Sequence, residues 1–162
     1  MAKQGLSISR RRTRDFVMRN TSRPIKILLI EDDDGDALII QRQLAKSDSR
    51  VEVFRAHDGG DAIALLEAGA VKPAIILLDL NMPGVDGHET LRRLRSTPKF
   101  ANTPVVILTT SGAPTDIERA YARHANAYVQ KPSSLSALND VVDSLRRFWT
   151  ETVVLPAHAL SY

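Results

Sequence analysis

From Ile25 onward the chain alternates short aliphatic runs with stretches of helical period, and it does so five times. Ile25–Ile30 (IKILLI), Val51–Phe54, Ala74–Leu78, Pro104–Leu108 and Ala127–Gln130 read as strands. The intervening segments repeat their apolar residues every three to four positions, as a helix with one buried face must. Residues 34–46 carry Ala37, Ile40 and Leu44; Asp58-Gly59 opens a helix with Ala62, Ile63, Leu65 and Leu66. Asp86–Arg95 aligns His88, Leu91 and Leu94, and Pro114–His124 aligns Ile117, Ala120, Tyr121 and His124. The last helix, Ser134–Trp149, has Leu135, Leu138, Val142, Leu145 and Trp149 on one stripe.

Such alternation specifies βαβ units, and therefore an α/β fold with a doubly wound, five-stranded parallel sheet. Strands one, three and four are almost wholly aliphatic, as strands covered on both faces are. The aromatic fraction of 5% agrees with a core of Val, Ile and Leu. At 162 residues the chain has the length of one domain, large enough to bury a core without staples. It contains no cysteine, which excludes disulfides, thiolate-bound zinc and thiol catalysis and suits a reducing cytoplasm. Its longest apolar runs are far too short to span a bilayer, and the N-terminus has no apolar signal core.

The formal charge of +3 is uneven. Residues 1–24 hold seven basic residues against Asp15, a net +6, whereas 25–162 hold 15 basic and 18 acidic residues, a net −3. We therefore expect a flexible basic extension (1–24), an acidic domain (25–149) and a C-terminal tail (150–162). Apart from Phe16 the extension lacks interleaved aromatics, so nucleic-acid binding is not expected of it, and Met18 is an alternative start.

In an open parallel sheet, ligands bind beyond the carboxyl ends of the strands. Glu31-Asp32-Asp33-Asp34 follows strand one, Asp79 follows strand three, Thr109-Thr110-Ser111 ends strand four, and Lys131-Pro132 ends strand five. Carboxylates gathered in one pocket repel one another unless a cation intervenes, and a hard divalent ion such as Mg²⁺ takes oxygen ligands while keeping several waters. Lys131 and Thr109 then offer an ammonium and a hydroxyl to a phosphoryl group, and Asp79 is placed to attack phosphorus. Asp34 and Asp36 read instead as a solvated helix start. The spacing Asp32-x-Asp34-x-Asp36 fails as a calcium loop, because Ala37 stands where glycine is needed and Gln43 where glutamate is. His57, His88, His124 and His158 lack metal-ligand spacing and read as structural or surface residues.

The segments ILLIEDDDGDA (27–37), IILLDLNMPGVDGHE (75–89), PVVILTTS (104–111) and YVQKP (128–132) together resemble the receiver domain of two-component response regulators. That resemblance implies a flavodoxin-like fold with strand order 2-1-3-4-5, and phosphorylation of Asp79 by a sensor histidine kinase. It further implies Mg²⁺ ligation by Glu31, Asp32, Asp79 and the backbone carbonyl of Asn81, with Lys131 on the phosphoryl group. Thr109 and Tyr128 match the switch pair, Asn81 and Ser111 the positions that tune phosphoryl lifetime, and Lys131-Pro132 a cis peptide bond. The first acid is Glu rather than the commoner Asp.

The ending FWTETVVLP (148–156) resembles that of single-domain regulators paired with phytochrome-type kinases. In that subgroup dimers form through helix four, strand five and helix five, so Val153–Leu155 with Phe148 and Trp149 is expected to cap such a dimer or cross to its partner, the alternative being a tail that packs back on its own core. Nothing after helix five resembles an output module. The alternative from another class is a Mg²⁺-dependent phosphatase or phosphotransferase with an aspartyl nucleophile. Those enzymes place a second acid two residues on, where this chain has Asn81.

Overall fold

The computed structural model describes residues 24–46 and 50–156. Most of the basic extension, Met18, His158 and the end of the tail lie outside them. Five strands, β1 (Ile25–Ile30), β2 (Val51–Ala56), β3 (Ile75–Leu78), β4 (Val105–Thr109) and β5 (Ala127–Gln130), alternate with five helices. These are α1 (Asp34–Ala45), α2 (Gly59–Glu67), α3 (Gly87–Ser96), α4 (Pro114–Ala122) and α5 (Leu135–Arg147). All strand pairings are parallel, in the order β2-β1-β3-β4-β5. The doubly wound sheet and its strand order are those expected from the sequence.

The period of two along each strand divides the core between the faces of the sheet. Leu28, Ile30, Ile76, Leu78, Val105 and Ile107 face Ala62, Leu66, Leu91, Leu94 and Ala120 of α2, α3 and α4. Ile27, Leu29, Ile75, Leu77, Val106 and Leu108 face Ala37, Ile40 and Leu44 of α1 and Leu138 and Val142 of α5. Each fully buried Leu or Ile contributes about 1.5–3 kcal/mol relative to exposure, so the two layers carry the fold. Four of the helices begin on a side-chain cap: Asp33, Asp58, Asp86 and Ser134 accept from the backbone N–H of Asp36, Asp61, His88 and Ala137. The fifth, α4, begins with Pro114, which has no N–H to satisfy.

Two details differ from the sequence reading. β2 runs two residues further than expected, to Ala56, which brings Arg55 to the sheet's carboxyl edge. α4 stops at Ala122, and His124 takes φ 61° beyond it. Arg95 draws the chain out of the helix there by donating to the His124 carbonyl at 2.9 and 3.0 Å and to Asn126 Oδ1 at 3.0 Å.

The tail turns back on its own domain. After α5, residues Phe148–Thr152 form one π-helical turn closed by Val153 N–H on the Phe148 carbonyl at 2.9 Å. This turn redirects the chain so that Leu155 is buried in the α1–α5 layer of its own domain, with Val153 and Trp149 half-buried beside it. Leu155, Val153 and Trp149 thus pack on this chain's own core, whereas Phe148 and Val154 remain exposed.

Candidate functional site

The carboxyl ends of β1, β3, β4 and β5 bring the expected residues to one edge of the sheet. Glu31 leaves β1 with its N–H on the Ala56 carbonyl at 3.1 Å, and Asp79 leaves β3 with its N–H on the Ile30 carbonyl at 3.0 Å. The two backbones are thereby fixed side by side. Both side chains are buried, at 1% and 6% exposure, as is Lys131 at 6%. Carboxylate oxygens of Glu31, Asp32 and Asp79 lie within 4.8 Å of one another.

Lys131 Nζ enters this cluster from β5. It donates to Glu31 Oε2 at 2.6 Å, Asp36 Oδ2 at 2.9 Å and Asp79 Oδ2 at 3.2 Å. Burial by itself would lower the lysine's affinity for its proton, but hydrogen bonds to Asp36 and Glu31 and the charge of Asp79 more than offset this, and the ammonium is held above its ordinary range. For Glu31 the balance tips the other way. Desolvation outweighs the Lys131 hydrogen bond, with Asp79 adding repulsion, and the carboxyl sits above the usual glutamate range.

The other oxygens of the pair are already oriented by backbone. Asp79 Oδ1 accepts the Asn81 N–H at 3.0 Å, and Glu31 Oε1 accepts the Asp33 N–H at 3.1 Å. The donor set is therefore all oxygen, anionic and preorganised, which fits a hard divalent cation. Glu31, Asp32 and Asp79 are the side chains that would hold it.

No peptide bond among the described residues is cis, so Lys131–Pro132 is trans, against the cis bond that the resemblance implies. Trans is the intrinsically favoured X–Pro isomer by about 0.5–1 kcal/mol. Here it already delivers the ammonium, because Lys131 N–H bonds the Thr109 carbonyl at 2.7 Å and so extends β5 to the cluster.

On β4, Thr109 is fully buried, and its hydroxyl accepts the Ser111 N–H at 3.4 Å. Ser111 in turn is tied to three elements. Its hydroxyl donates to Asp116 Oδ2 of α4 at 2.6 Å, its carbonyl accepts the Tyr128 hydroxyl of β5 at 2.9 Å, and Asp116 Oδ1 meets His88 Nε2 of α3 at 3.2 Å. Burial, helped by the charges of Asp116 and Asp79, raises the Tyr128 phenol above its usual value despite the Ser111 hydrogen bond. The Ser111 hydroxyl and the His88 ring hold Asp116 below the usual carboxylate range. Asn81 Nδ2 spans the mouth of the site to Thr110 Oγ1 at 3.1 Å.

Sequence reasoning missed two participants. Asp36, read as part of a solvated helix start, lies in the first turn of α1 and contacts Lys131. Arg55 fell beyond the expected end of strand two, and it donates to the Glu31 and Asp32 carbonyls. His88 is structural, as expected, but it belongs to the Ser111 network rather than to the core alone.

Residues 27–143 match the response regulator receiver domain family. Response regulator Rcp1 of Synechocystis sp. is 38% identical over 146 residues, covering 86% of this chain and 99% of that protein. Among solved structures, the phosphorylated cyanobacterial phytochrome response regulator RcpA superposes with a TM-score of 0.79 at 40% identity, over 83% of this chain and 99% of its own. The Mn²⁺-bound form of Rcp1 superposes with a TM-score of 0.76 at 37% identity, over 83% and 100%. With this site on this fold, the chain belongs to the response regulator receiver domain family.

Proposed function

We propose that this receiver domain is a phosphoacceptor in a two-component relay, taking a phosphoryl group from a sensor histidine kinase onto Asp79. The observation that carries this reading is the convergence of Lys131 Nζ on Asp79 and Glu31 inside a cluster of three carboxylates. In the transfer, an Asp79 oxygen forms the new O–P bond as the P–N bond to the donor imidazole breaks, and the electron pair of that bond remains on the imidazole nitrogen. Glu31, Asp32 and Asp79 would hold a Mg²⁺ ion, whose positive charge would offset that of the phosphoryl oxygens and of Asp79's neighbours. Lys131 is drawn toward the phosphoryl oxygens, whose charge of about two exceeds that of any one carboxylate it holds beforehand. Thr109 turns its hydroxyl to the same group, which releases the Ser111 N–H and with it the loop whose Ser111 carbonyl holds the Tyr128 hydroxyl. Asn81 and Ser111 flank the path by which water would reach the phosphorus.

The relatives support a finer reading as well. RcpA is a phytochrome response regulator, which suggests a phytochrome-type kinase as the donor here too. The relay would run in the cytoplasm, to which a cysteine-free chain is suited. Among the described residues no helix is long and apolar enough to cross a membrane. Output is by protein contact through α4, β5 and α5, where Tyr121 and Leu135 are exposed, as is Phe148 just past α5, and a homodimer through this face is part of the proposal. Asn81, in place of a second acid, disfavours phosphatase turnover.

Incubation with Mg²⁺ and acetyl phosphate, followed by intact-mass measurement, tests the central claim. The expected result is a single phosphoryl adduct that is absent in Asp79→Asn. No adduct on the unaltered chain, or steady turnover of unrelated phosphate esters, would overturn it.

A further inference from the structure

We propose that Arg55 is a positioning residue of the acidic site, fixing the loop from which Glu31 and Asp32 reach a metal ion. The inference rests on the reading of Glu31, Asp32 and Asp79 as the cation ligands. Arg55 stands at the carboxyl end of β2, paired in register with Leu29 of β1, and its side chain is only 16% exposed. All three guanidinium nitrogens are spent on one short segment. Nε donates to the Glu31 carbonyl at 3.0 Å, Nη2 to the Asp32 carbonyl at 3.1 Å, and Nη1 meets Asp34 Oδ1 at 2.7 Å.

These contacts act where the sheet stops supporting the chain. The β1–β2 register ends at Ile30 and Ala56, and past it the one ladder-like bond is Glu31 N–H on the Ala56 carbonyl at 3.1 Å. Holding two successive carbonyls fixes both peptide planes that flank the Asp32 α-carbon. The direction in which Cβ of Asp32 leaves the backbone follows from those planes. Asp32 has no side-chain hydrogen bond of its own among those the structure gives, in contrast to Glu31, which Lys131 and the Asp33 N–H hold at both oxygens. The arginine fork therefore does for Asp32 what direct hydrogen bonds do for Glu31. A planar guanidinium can span two adjacent carbonyls and a carboxylate together; a lysine ammonium at this reach cannot.

The sign of the effect separates this role from simple electrostatics. A cation beside an acidic cluster repels a divalent ion, so by charge alone its removal should tighten metal binding. Loss of positioning should weaken it, and groups that orient metal ligands are typically worth about 10–100-fold in affinity.

The test is titration of the full chain with Mn²⁺, free ion being read by electron paramagnetic resonance, alongside thermal unfolding without metal. Asp32→Ala establishes the site: if it binds Mn²⁺ as the unaltered chain does, the metal reading itself fails, whatever Arg55 does. Given that control, Arg55→Gln and Arg55→Lys are both expected to bind about tenfold more weakly or worse. Equal or tighter binding by Arg55→Gln overturns the proposal. So does full recovery in Arg55→Lys, which would make charge sufficient, and so does a lowered melting temperature with unchanged affinity. Should Arg55→Gln fail to fold, Arg55→Lys carries the same test, because it keeps the charge and removes the fork.

Discussion

Replacing Lys131 by methionine removes the cation whose ammonium touches both buried carboxylates, while a chain of similar length still fills its channel. At the observed separations of 2.6, 2.9 and 3.2 Å, each contact represents on the order of 5–6 kcal/mol of gross attraction at an effective dielectric of about 20. Most of that is cancelled by the cost of desolvating four charged groups. What the variant experiences is the remainder: Glu31 and Asp79 stay buried without that counter-charge. Asp36, whose side chain is 33% exposed, regains water and adds little.

Breaking one side of a buried ion pair typically costs about 3–5 kcal/mol, which for a chain of this size lowers the melting temperature by roughly 6–20 °C. The second arm of the prediction is more discriminating. If the carboxylates form a cation site, Mg²⁺ should take over the role of the lost ammonium. Tenfold tighter binding would enlarge the Mg²⁺-induced stabilisation by about 1.4 kcal/mol at saturating ion. Urea unfolding by circular dichroism, with Mg²⁺ and with a chelator, measures both arms. A loss below about 1 kcal/mol, or a Mg²⁺ increment no larger than that of the unaltered chain, would refute the account of Lys131 as the internal counter-ion of a metal site.

Gly87→Ala places a Cβ 2.6 Å from the Leu80 α-carbon and closer still to the Asp79 carbonyl, both of them backbone. The start of α3 must then move off the end of β3, and we expect a loss of about 1–3 kcal/mol together with slower acetyl-phosphate labelling of Asp79. Gly59→Ala, which meets the Thr90 side chain instead, should cost a similar amount while labelling is unchanged, so equal labelling rates in the two variants would sink the argument. A third expectation concerns acid. Because the Asp116 carboxyl is held below its ordinary 3.8, its contribution to stability is present above that pH and is lost as pH falls through the lower, folded-state value. Asp116→Asn should therefore flatten the acid limb of a urea-midpoint profile below about pH 4, and parallel profiles would show that the Ser111–Asp116–His88 chain contributes nothing.

The parts of this fold legible in the sequence are those written in period and position. β1, β3 and β4 are covered on both faces and so had to be continuous aliphatic runs, and α3 and α5 are buried on one stripe and so show it. Asp79 and Lys131 were legible because a charged residue directly behind an apolar strand has few purposes. Asp36 and Arg55 were not, for a reason of registration. Each reaches the site only because of where the element bearing it begins or ends: α1 turns Asp36 back over the pocket, and β2 runs on to Ala56. An error of two residues at a strand end, ordinary for sequence reading, hides such contacts. The tail is a different case. Val153 and Leu155 are apolar whether they face a partner or their own core, and it is the π-helical turn at 148–152 that sets Leu155 into its own core while Phe148 and Val154 stay exposed.

Charge shows most clearly what local structure adds to composition. The whole chain carries +3, yet Glu31, Asp32 and Asp79 with Lys131 sum to −2 when all are ionised, the complement of one divalent ion. Hydrogen bonds to Asp36 and Glu31 hold the Lys131 ammonium above its ordinary range, and burial pushes the Glu31 carboxyl up. A phosphoryl group on Asp79 would replace one negative charge by about two and so raise the demand for cations at that point. Lys131, shared among three carboxylates at 2.6–3.2 Å, is the cation free to answer it, since moving toward Asp79 breaks no bond to backbone. Arg55 cannot move in the same way without releasing the Glu31 and Asp32 carbonyls. These two cations are therefore suited to opposite tasks, one to follow the charge and the other to keep the ligands still.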